Sequence, residues 1–360
     1  MPYARLVAQH FGTEQNDLIV KGSDLTAYWP LLTWHRDEPV SEPSDLGVYL
    51  VSKLARQQVK VMLSGEGGDE LFAGYPKYAV DWLASYYRML PTPMRDKVIS
   101  PLIDRLPYGM RKVKMASRAL SQPAPQRWMG WFGVFNDHVK EKLLSASTKA
   151  SIDGDSSRAF RHWLEKNPQR DDLSSMLYLD TKIWLPDNLL MKGDKMTMAA
   201  SLEARMPFLD YKLVEYAAGI PSRIKIKPFR AKYLLKLAYA GFLPEPILTR
   251  KKMGFNVPVS NWFRGEQRDL VTRLLLSERA RSRGYLNSEY VEMMLREHRE
   301  GRTQYGGQLF ILASLELWFR VFIDNPQLLC PQSSVEQMLE EDTTSLSRPS
   351  AVELSSTRLP

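Results

Sequence analysis

The first sixty residues show a pattern of apolar and polar positions that predicts helices and strands in turn. Apolar residues recur at helical spacing from Tyr3 to Phe11, and Gly12 provides a stop at the end of that helix. A short apolar run at 18–20 predicts a strand, 47–58 predicts a second helix, and the β-rich run 59–63 predicts a second strand. This order predicts an α/β fold with a parallel sheet covered by helices.

Beyond about Val80 the pattern changes and predicts a mostly helical C-terminal part. Apolar residues at helical spacing are clearest at 173–184 and 309–323. After Cys330 the composition shifts to serine, glutamate, threonine and proline, which is typical of disorder. We therefore expect one large domain over residues 1–332 and a disordered polar tail over 333–360.

The glycine-rich turn at 63–75, LSGEGGDELFAGY, is the most informative segment. It follows an apolar strand and opens a predicted helix, a junction where unpaired backbone N–H groups favour a phosphate. The turn lacks the GK[ST] of a Walker loop and the spacing of a dinucleotide fingerprint. Its three carboxylates, Glu66, Asp69 and Glu70, favour a phosphate that carries Mg²⁺. One of them could instead act as a general base, or the acids could simply cap the helix.

A second group of charged residues lies within an apolar, methionine-rich stretch at 185–210. Charges in such a stretch are costly unless they are paired or functional. The alternatives are a functional role, with Asp194 as a candidate, or internal salt bridges that join Glu203 to Arg205 and Asp194 to Lys192.

A third segment, RKKMGF at 250–255, is a basic cluster that ends in a glycine-containing loop. It could place the ammonium group of Lys252 over a polyphosphate or a developing anion. Taken alone, it could equally be the C-terminal end of a helix, where lysines complement the helix dipole.

Composition narrows the class of protein. The chain is 44% apolar and 25% charged, as soluble globular proteins are, and its sequence has no secretory signal and no run of about 18 apolar residues. Its single cysteine and scattered histidines argue against a disulfide framework and a zinc site, and we expect a cytoplasmic protein without a membrane segment. The net charge of +8 and the basic stretch at 105–118 come without a nucleic-acid-binding motif, so no nucleic-acid partner is predicted.

Three ordered motifs give the chain a resemblance to a known family. SGEGGDELFAGYPKY, KGDKMTMAASLEARMPFLD and RKKMGFNVPVSNWF occur in the order seen in glutamine-hydrolysing asparagine synthetases, and YLVSKLARQQVKVML before the first motif is also similar. The resemblance is to the C-terminal synthetase domain and covers residues 2–328. It implies a parallel-sheet fold like that of the adenine-nucleotide alpha-hydrolases (the HUP class).

The resemblance also implies a ligase reaction, in which ATP and Mg²⁺ activate the side-chain carboxylate of aspartate. An aspartyl-adenylate and pyrophosphate form, and ammonia then attacks to release asparagine and AMP. In the matching positions, Ser64, Gly65 and Gly67 would contact the nucleotide, and Asp194 would line the same cleft.

The same resemblance assigns three charged residues to the chemistry. Glu66 would take a proton from the attacking ammonia, and Asp69 would help to hold Mg²⁺ on the pyrophosphate. Lys252 would stabilise the negative charge that develops as the adenylate forms and collapses.

Two family features are absent from the sequence. Position 2 is Pro2, where complete members carry a cysteine nucleophile in a glutaminase domain, and the family's SGGxDS pyrophosphate loop does not occur. We therefore expect a domain that is incomplete at its N-terminus, with a glutaminase domain upstream or on a separate chain. Such a chain should not hydrolyse glutamine, and alone it should release little or no pyrophosphate.

The sequence leaves other functions open. Relatives of the family amidate other carboxylates, in glycan or secondary-metabolite pathways, and a chain without the ATP loop could be a catalytically silent binding or assembly module. The unpaired sheet edge that an incomplete domain would expose makes a homo-oligomer an expectation as well.

Overall fold

The computed structural model describes residues 2–104, 126–131, 133–152, 155–167, 171–227, 230–254, 257–325, 327 and 329–346. The basic stretch 105–118 singled out in the sequence lies outside these residues. The chain forms two compact units. The first, here the sheet unit, comprises Met1–Ile19, Gly47–Lys140 and Ser151–Val257, and the second, the helical unit, comprises Val20–Leu46, Glu141–Ala150 and Pro258–Pro360.

In the first part of the chain the elements are α1 Pro2–Phe11, α2 Gly22–Arg36, α3 Ser44–Ala55, β1 Val61–Leu63, α4 Gly68–Leu71, α5 Pro76–Met89, α6 Thr92–Met94, a π-helical turn Arg95–Ile99, α7 Ser100–Asp104, α8 Gln126–Met129, α9 Asp137–Leu143, α10 Ala146–Ser151, α11 Arg158–Glu165 and α12 Asp172–Leu179.

The rest of the chain contains a π-helical segment Asp180–Leu190, α13 Met191–Ala199, β2 Glu203–Arg205, a 3₁₀ turn Pro207–Leu209, α14 Tyr211–Gly219, α15 Ser222–Lys225, α16 Tyr233–Ala238, α17 Glu245–Thr249, α18 Val259–Trp262, α19 Arg268–Leu276, α20 Glu278–Ser282, α21 Ser288–Arg299, α22 Gly306–Trp318, a π-helical turn Phe319–Ile323 and α23 Val335–Leu346.

The sheet of the described residues has two parallel strands, β1 and β2, with Val61 opposite Glu203 and Leu63 opposite Arg205. Met62 and Ala204 lie on the half-buried face, whereas Val61 and Leu63 are 48% and 71% exposed. This confirms a helix-rich α/β fold with a small parallel sheet. The finer expectation, a sheet of the HUP class, stays a prediction.

Most of the elements predicted near the N-terminus are confirmed, with shifted ends. The first helix is α1, and Gly12 follows it with a φ of +63°. The helix predicted at 47–58 begins and ends about three residues earlier, and the strand predicted at 59–63 shortens to β1. The strand predicted at 18–20 is wrong, because that segment has no regular secondary structure and pairs with no strand among the described residues, and Ile19 is 78% exposed.

A buried aromatic and aliphatic cluster forms the core of the sheet unit. It is built from α5, α8, α11 and α12 with nearby segments, and its buried members are Ala73, Tyr78, Trp128, Phe160, Leu173, Met176, Leu177, Leu179 and Ile226. Asp81 lies beside this cluster, where it accepts hydrogen bonds from Arg127 and from the indole of Trp128. This pairing offsets part of the cost of burying the Asp81 charge.

The helical unit is organised around Trp29, which is 2% exposed. Its indole stacks on Phe310 with ring centroids 4.8 Å apart and donates a hydrogen bond to Ser314 Oγ at 3.1 Å. Gly306–Ile323 is the one described helical stretch that is long and apolar enough to cross a membrane, and more than half of it is buried. Because a core helix meets the same criteria, this stretch is weak support for a membrane segment.

The prediction of a disordered tail from residue 333 is wrong for residues 335–346, which form α23. Val335 and Leu339 are buried at helical spacing, and Arg320 Nη1 lies 2.6 Å from Asp342 Oδ2. The polar composition of this segment predicted disorder, but Val335 and Leu339 are buried and Asp342 pairs with the buried Arg320. Residues 347–360 lie outside the described part of the chain.

Candidate functional site

The glycine-rich turn lies where the sequence placed it, between β1 and α4 in the sheet unit. The backbone N–H of Ser64 donates to the carbonyl of Arg205 at 2.8 Å, which extends the ladder between β1 and β2 by one residue. Gly67 has a φ of +89°, and a Cβ at this position would collide with Leu209. The turn therefore requires glycine at position 67 for both conformation and space.

Three consecutive residues of this turn, Gly65, Glu66 and Gly67, have backbone N–H groups that are unpaired within the described residues, and the third of them, Gly67, is buried. The helix that follows, α4, has only four residues, so its dipole is small compared with that of a long helix. Attraction for an anion at this turn must therefore come mainly from these N–H groups and from nearby side chains.

Ser64 and Glu66, two of the predicted site residues, contact each other. The Ser64 hydroxyl donates a hydrogen bond to Glu66 Oε2, and both residues are partly buried. This contact fixes the orientation of one carboxylate oxygen and leaves Glu66 Oε1 outside that bond. An oriented, partly buried carboxylate is suited to accept a proton.

Lys252 reaches the glycine-rich turn from 183 residues further along the chain. Its Nζ donates a hydrogen bond to Asp69 Oδ2 at 2.6 Å, and the Asp69 side chain is 15% exposed. The first and third sequence motifs thus meet in one ion pair. The alternative interpretation placed Lys252 at the C-terminal end of a helix. The helix α17 does end nearby, at Thr249, but the Lys252 side chain contacts Asp69.

A second ammonium group, that of Lys232, lies on the other oxygen of the same carboxylate. Lys232 Nζ is 3.1 Å from Asp69 Oδ1. Lys232 adopts a left-handed backbone conformation with a φ of +54°, and its N–H donates to the carbonyl of Ala73 at 3.3 Å. A non-glycine residue in this conformation is strained, and such strain is typical of functional positions.

Gly74 makes room for this cluster. A Cβ at position 74 would collide with Asp69 Oδ1 and with Lys232 Cε. The glycine at the end of the first motif therefore allows the carboxylate and the ammonium group to approach the backbone closely.

Glu70, the third acid of the turn, is buried. It accepts a hydrogen bond of 2.6 Å from the Tyr75 hydroxyl, and burial raises the pKa of its carboxyl. The sequence grouped Glu70 with Glu66 and Asp69 as three acids facing one ligand. The structure assigns Glu70 instead to the support of the turn.

A buried polar network continues from Tyr75 into the core. Lys77 Nζ donates to Asp180 Oδ1 at 2.7 Å, and the Tyr78 hydroxyl donates to the other oxygen of Asp180. Burial raises the pKa of the Asp180 carboxyl, and the adjacent Lys77 ammonium opposes that rise. These hydrogen bonds hold the N-terminal end of α5, the helix that follows the turn.

The second sequence constellation is not drawn into this cluster. Asp194 lies on α13 with an exposed side chain, and no contact within the described residues joins it to Glu66, Asp69 or Lys252. The predicted ion pair between Glu203 and Arg205 is confirmed, on the exposed face of β2. The pair between Asp194 and Lys192 stays a prediction.

The described residues offer little for a dedicated metal site. They contain no group of three or more His, Cys, Asp or Glu side chains placed to hold a metal ion. Asp69 Oδ1 is nevertheless buried and receives no hydrogen bond within the described residues, although Lys232 Nζ is close to it. A buried carboxylate oxygen that accepts no hydrogen bond is compatible with Mg²⁺ that keeps its other ligands from phosphate and water.

Cys330 lacks the surroundings of a catalytic thiol. Burial raises the pKa of its thiol, which disfavours the thiolate that acts as a nucleophile. The expectation that this chain does not hydrolyse glutamine stays a prediction.

Sequence reasoning missed Lys232, Tyr75, Lys77 and Asp180. Asp180 carried a usable signal, because it is an acid within an apolar helical run and such an acid requires a partner. Lys232 carried none, since it precedes an ordinary amphipathic helix and meets Asp69 only through the fold.

Comparison with known proteins identifies relatives of this chain. The family model described as asparagine synthase matches residues 1–320. The chain is 30% identical over 321 residues to the glutamine-hydrolysing asparagine synthetase 1 of Bacillus subtilis. This match covers 89% of this chain and 50% of that protein. It is 26% identical to the glutamine-hydrolysing asparagine synthetase 3 of the same organism, over 89% of this chain and 48% of that protein.

More distant similarity extends to a fungal protein with a different name. Amidase chyE of Penicillium rubens is 26% identical over 79% of this chain and 45% of that protein. The chain spans about half the length of the curated relatives it matches. The match to the family model over residues 1–320 shows that this chain belongs to the asparagine synthase family.

Proposed function

We propose that the sheet unit carries the ATP-using centre of a ligase that converts aspartate to asparagine. Asparagine synthase relatives support an ATP-dependent amidating ligase as the general class. In the proposed reaction the aspartate side-chain carboxylate attacks the α-phosphorus of ATP, and pyrophosphate leaves. Ammonia then attacks the acyl carbon of the aspartyl-adenylate, and AMP leaves with the electrons of the broken carbon–oxygen bond.

The observation that carries this proposal is the meeting of Lys252 with Asp69 beside the free N–H groups of the glycine-rich turn. Two ammonium groups, those of Lys232 and Lys252, lie on one carboxylate. A polyphosphate would offer these lysines stronger acceptors than Asp69 does, since charge-assisted bonds to phosphate are among the strongest in proteins. The lysines would then stabilise negative charge as it develops during bond breaking.

Glu66 is proposed as the group that takes a proton from the attacking ammonia. Its hydrogen bond from Ser64 supports this role, because the bond holds the carboxylate in one orientation. A positioned base typically contributes about 10²–10⁴-fold to the rate. Gly65 and Gly67 would contact the nucleotide through their free backbone N–H groups, and Asp194 is kept as a proposed cleft residue without a contact to support it.

Mg²⁺ is proposed to reach the site on the phosphates of ATP, with Asp69 Oδ1 as one oxygen ligand. When bound, Mg²⁺ neutralises phosphate charge and so favours departure of pyrophosphate. The contribution of this chain is to present one carboxylate oxygen and two ammonium groups to the same phosphate group.

The partner that supplies ammonia is proposed to be a glutaminase. The names of the Bacillus subtilis relatives include glutamine hydrolysis, and this chain covers about half of each of them. A glutaminase domain on the same or a separate polypeptide would complete the reaction.

The test joins this chain to the part of the Bacillus subtilis asparagine synthetase 1 that lies outside the match. The fusion and the chain alone are incubated with Mg·ATP, ammonium and one acid at a time, and AMP and the amide product are quantified. We expect the fusion to form AMP and asparagine in equal amounts with L-aspartate, and no AMP with L-glutamate. Formation of AMP only with an acid other than aspartate would overturn the substrate assignment.

A different carboxylate is the second candidate substrate, and the similarity to amidase chyE favours testing it. The same assay decides between the two, because the fusion is offered a panel of carboxylic acids beside aspartate. A folded fusion that forms no AMP with any acid would favour the silent binding module.

A further inference from the structure

A cavity of about 290 Å³ lies beside the Asp69 cluster, entirely within the sheet unit. We name it the basic pocket. Five of the side chains that line it are cationic: Lys232, Lys236, Arg250, Lys251 and Lys252. None of the described residues that line it is an acid.

The positive charge of the basic pocket is only partly neutralised. Lys232 and Lys252 contact Asp69, but Lys236, Arg250 and Lys251 form no ion pair with any described residue. Burial lowers the pKa of the Lys236 ammonium, and the nearby charges of Arg250 and Lys232 lower it further. Like charges at this density repel one another, and a bound anion would relieve the repulsion.

The other large side chains that line the basic pocket are mostly apolar, and we name them the apolar wall. They are Phe208, Leu235, Tyr239, Leu243, Ile247, Leu248 and Met253, and Leu235 lies on the same helix, α16, as Lys236. Tyr239 is 39% and Met253 67% exposed, so apolar surface stays open to a ligand. Small-molecule sites commonly combine an apolar wall with a few polar groups and have volumes from about 300 Å³ upward. The basic pocket lies at the small end of that range.

We propose that the basic pocket binds a small organic phosphate ester. Its phosphate would contact Lys236, Arg250 and Lys251, and its apolar portion would lie on the wall that contains Tyr239 and Ile247. Inorganic phosphate would contact only the cations of the pocket, and an uncharged ring would contact only the apolar wall.

The basic pocket and the Asp69 cluster share two side chains, which couples them. Lys232 and Lys252 line the pocket and also contact Asp69. A phosphate ester that draws these lysines toward itself weakens their hold on Asp69, and thermodynamic linkage makes the effect reciprocal. The ligand of the basic pocket therefore regulates the charge presented at Asp69.

The test is an isothermal titration of the 360-residue chain with phenyl phosphate, without ATP or aspartate. We expect a Kd of about 1 mM or lower. Lys236→Gln and Lys251→Gln should each weaken binding about fivefold, as loss of roughly 1 kcal/mol of ionic contact requires. Lys212→Gln, at an exposed lysine outside the pocket, is the matched control and should bind as the parent does.

Two further titrations test the apolar wall and the coupling. Inorganic phosphate should bind more weakly than phenyl phosphate, and Asp69→Asn should bind phenyl phosphate more tightly because both lysines lose their competing carboxylate. Arg250→Gln provides an exposed substitution should Lys236→Gln prove unfolded by circular dichroism.

The proposal is overturned if phenyl phosphate does not bind, or if Lys251→Gln and Arg250→Gln leave its affinity unchanged. Equal affinity for inorganic phosphate would refute the apolar wall as part of the site. Because these titrations contain neither substrate of the ligase reaction, their failure leaves the proposed amidation untouched.

Discussion

Gly74 shows how one residue governs the Asp69 cluster. Its missing side chain leaves space that the Asp69 carboxylate and the Lys232 stem occupy. At the residue scale, the site therefore requires glycine at position 74 because of space and not because of backbone conformation, since Gly74 does not adopt a positive φ.

Gly74→Ala should destabilise the chain and displace Asp69. Overpacking a filled position costs typically about 1–3 kcal/mol, and we expect the free energy of unfolding to fall by that amount in a urea titration. Gly219→Ala is the matched control, since a Cβ at position 219 meets no atom within 4 Å. Equal stability of the two variants would show that the collision at Gly74 is relieved at no cost.

Glu70 and Tyr75 provide a second test at the residue scale. Tyr75→Phe removes the hydrogen bond to the buried Glu70 carboxyl, and a buried polar group left unpaired costs about 1–3 kcal/mol. Tyr211→Phe, at a 65% exposed tyrosine, is the control and should be nearly neutral. A Tyr75→Phe protein as stable as the parent would contradict the role of Tyr75 in supporting the turn.

The raised pKa of Glu70 has a defined effect on stability. Because the folded-state pKa lies above the unfolded value, the contribution of Glu70 is fully present below pH 4.5 and is lost as the pH rises through the folded pKa. Carboxylates whose pKa is lowered on folding give the opposite pH dependence, so the effect of Glu70 is obtained as the difference between the parent and Glu70→Gln. Glu70→Gln should flatten this component of the pH dependence, measured as the free energy of unfolding of both proteins from pH 4 to pH 7.

At the scale of elements, His298 joins α21 to two neighbouring segments of the helical unit. It is 1% exposed, its Nδ1 accepts from the backbone N–H of Tyr305 at 3.2 Å, and its Nε2 therefore carries the proton that bonds to the Ser260 carbonyl at 3.1 Å. Burial lowers the pKa of this imidazole, and the charge of Arg264 lowers it further. The neutral form is thus the one that holds these segments together.

Acid should weaken the helical unit through His298. Its folded-state pKa lies below the unfolded value of about 6.5, so the unfolded state binds the proton first and stability falls as the pH drops below that value. Thermal unfolding between pH 7.5 and pH 5.5 should show a smaller loss in His298→Gln than in the parent. His138→Gln, at an exposed histidine, should follow the parent, and an unchanged pH dependence in His298→Gln would refute the role of His298.

Elements with a strong local signal could be predicted from the sequence. The helix α1 and the apolar strand before the glycine-rich turn followed their hydrophobic spacing, and the turn followed its glycines. The expected strand at 18–20 failed because a strand needs a partner, which its own residues do not reveal. The helix α23 was missed because its buried apolar residues Val335 and Leu339 stand in a polar composition, and because Asp342 pairs with Arg279 and Arg320 only through the fold.

The spacing of residues along the chain could group only those site residues that lie within one motif. Ser64, Glu66 and Asp69 could be grouped because they lie in one turn, and the family resemblance assigned Lys252 to the same site. Lys232 and Asp180 reach the site through long-range packing, so spacing along the chain could not predict them. Asp194 was a candidate because of its charge in an apolar stretch and because of the resemblance, and within the described residues it has no contact to the cluster.

At the scale of the whole molecule, β1 presents an exposed apolar face. Val61 and Leu63 point outward opposite Glu203 and Arg205, whereas parallel sheets are normally covered on both faces. β1 pairs only with β2 among the described residues. An exposed apolar strand with an unpaired edge favours association with another chain.

We expect the isolated chain to self-associate through this face. Leu63→Lys should shift the sedimentation profile toward the monomer at a given concentration, because a charge on an exposed strand opposes pairing. Leu237→Lys, at an apolar residue 58% exposed outside the sheet, is the control. Profiles that respond equally to both substitutions would place the contact elsewhere.

The most direct test of the account is pyrophosphate release by the fusion protein with Mg·ATP, L-aspartate and ammonium. We predict that release requires aspartate and that Lys252→Gln lowers its rate about 10²–10³-fold, the usual effect of removing one group that stabilises transition-state charge. Lys212→Gln should retain the parent rate. Release that continues unchanged in Lys252→Gln would contradict the claim that the ion pair of Lys252 with Asp69 marks the phosphate-handling centre of this ligase.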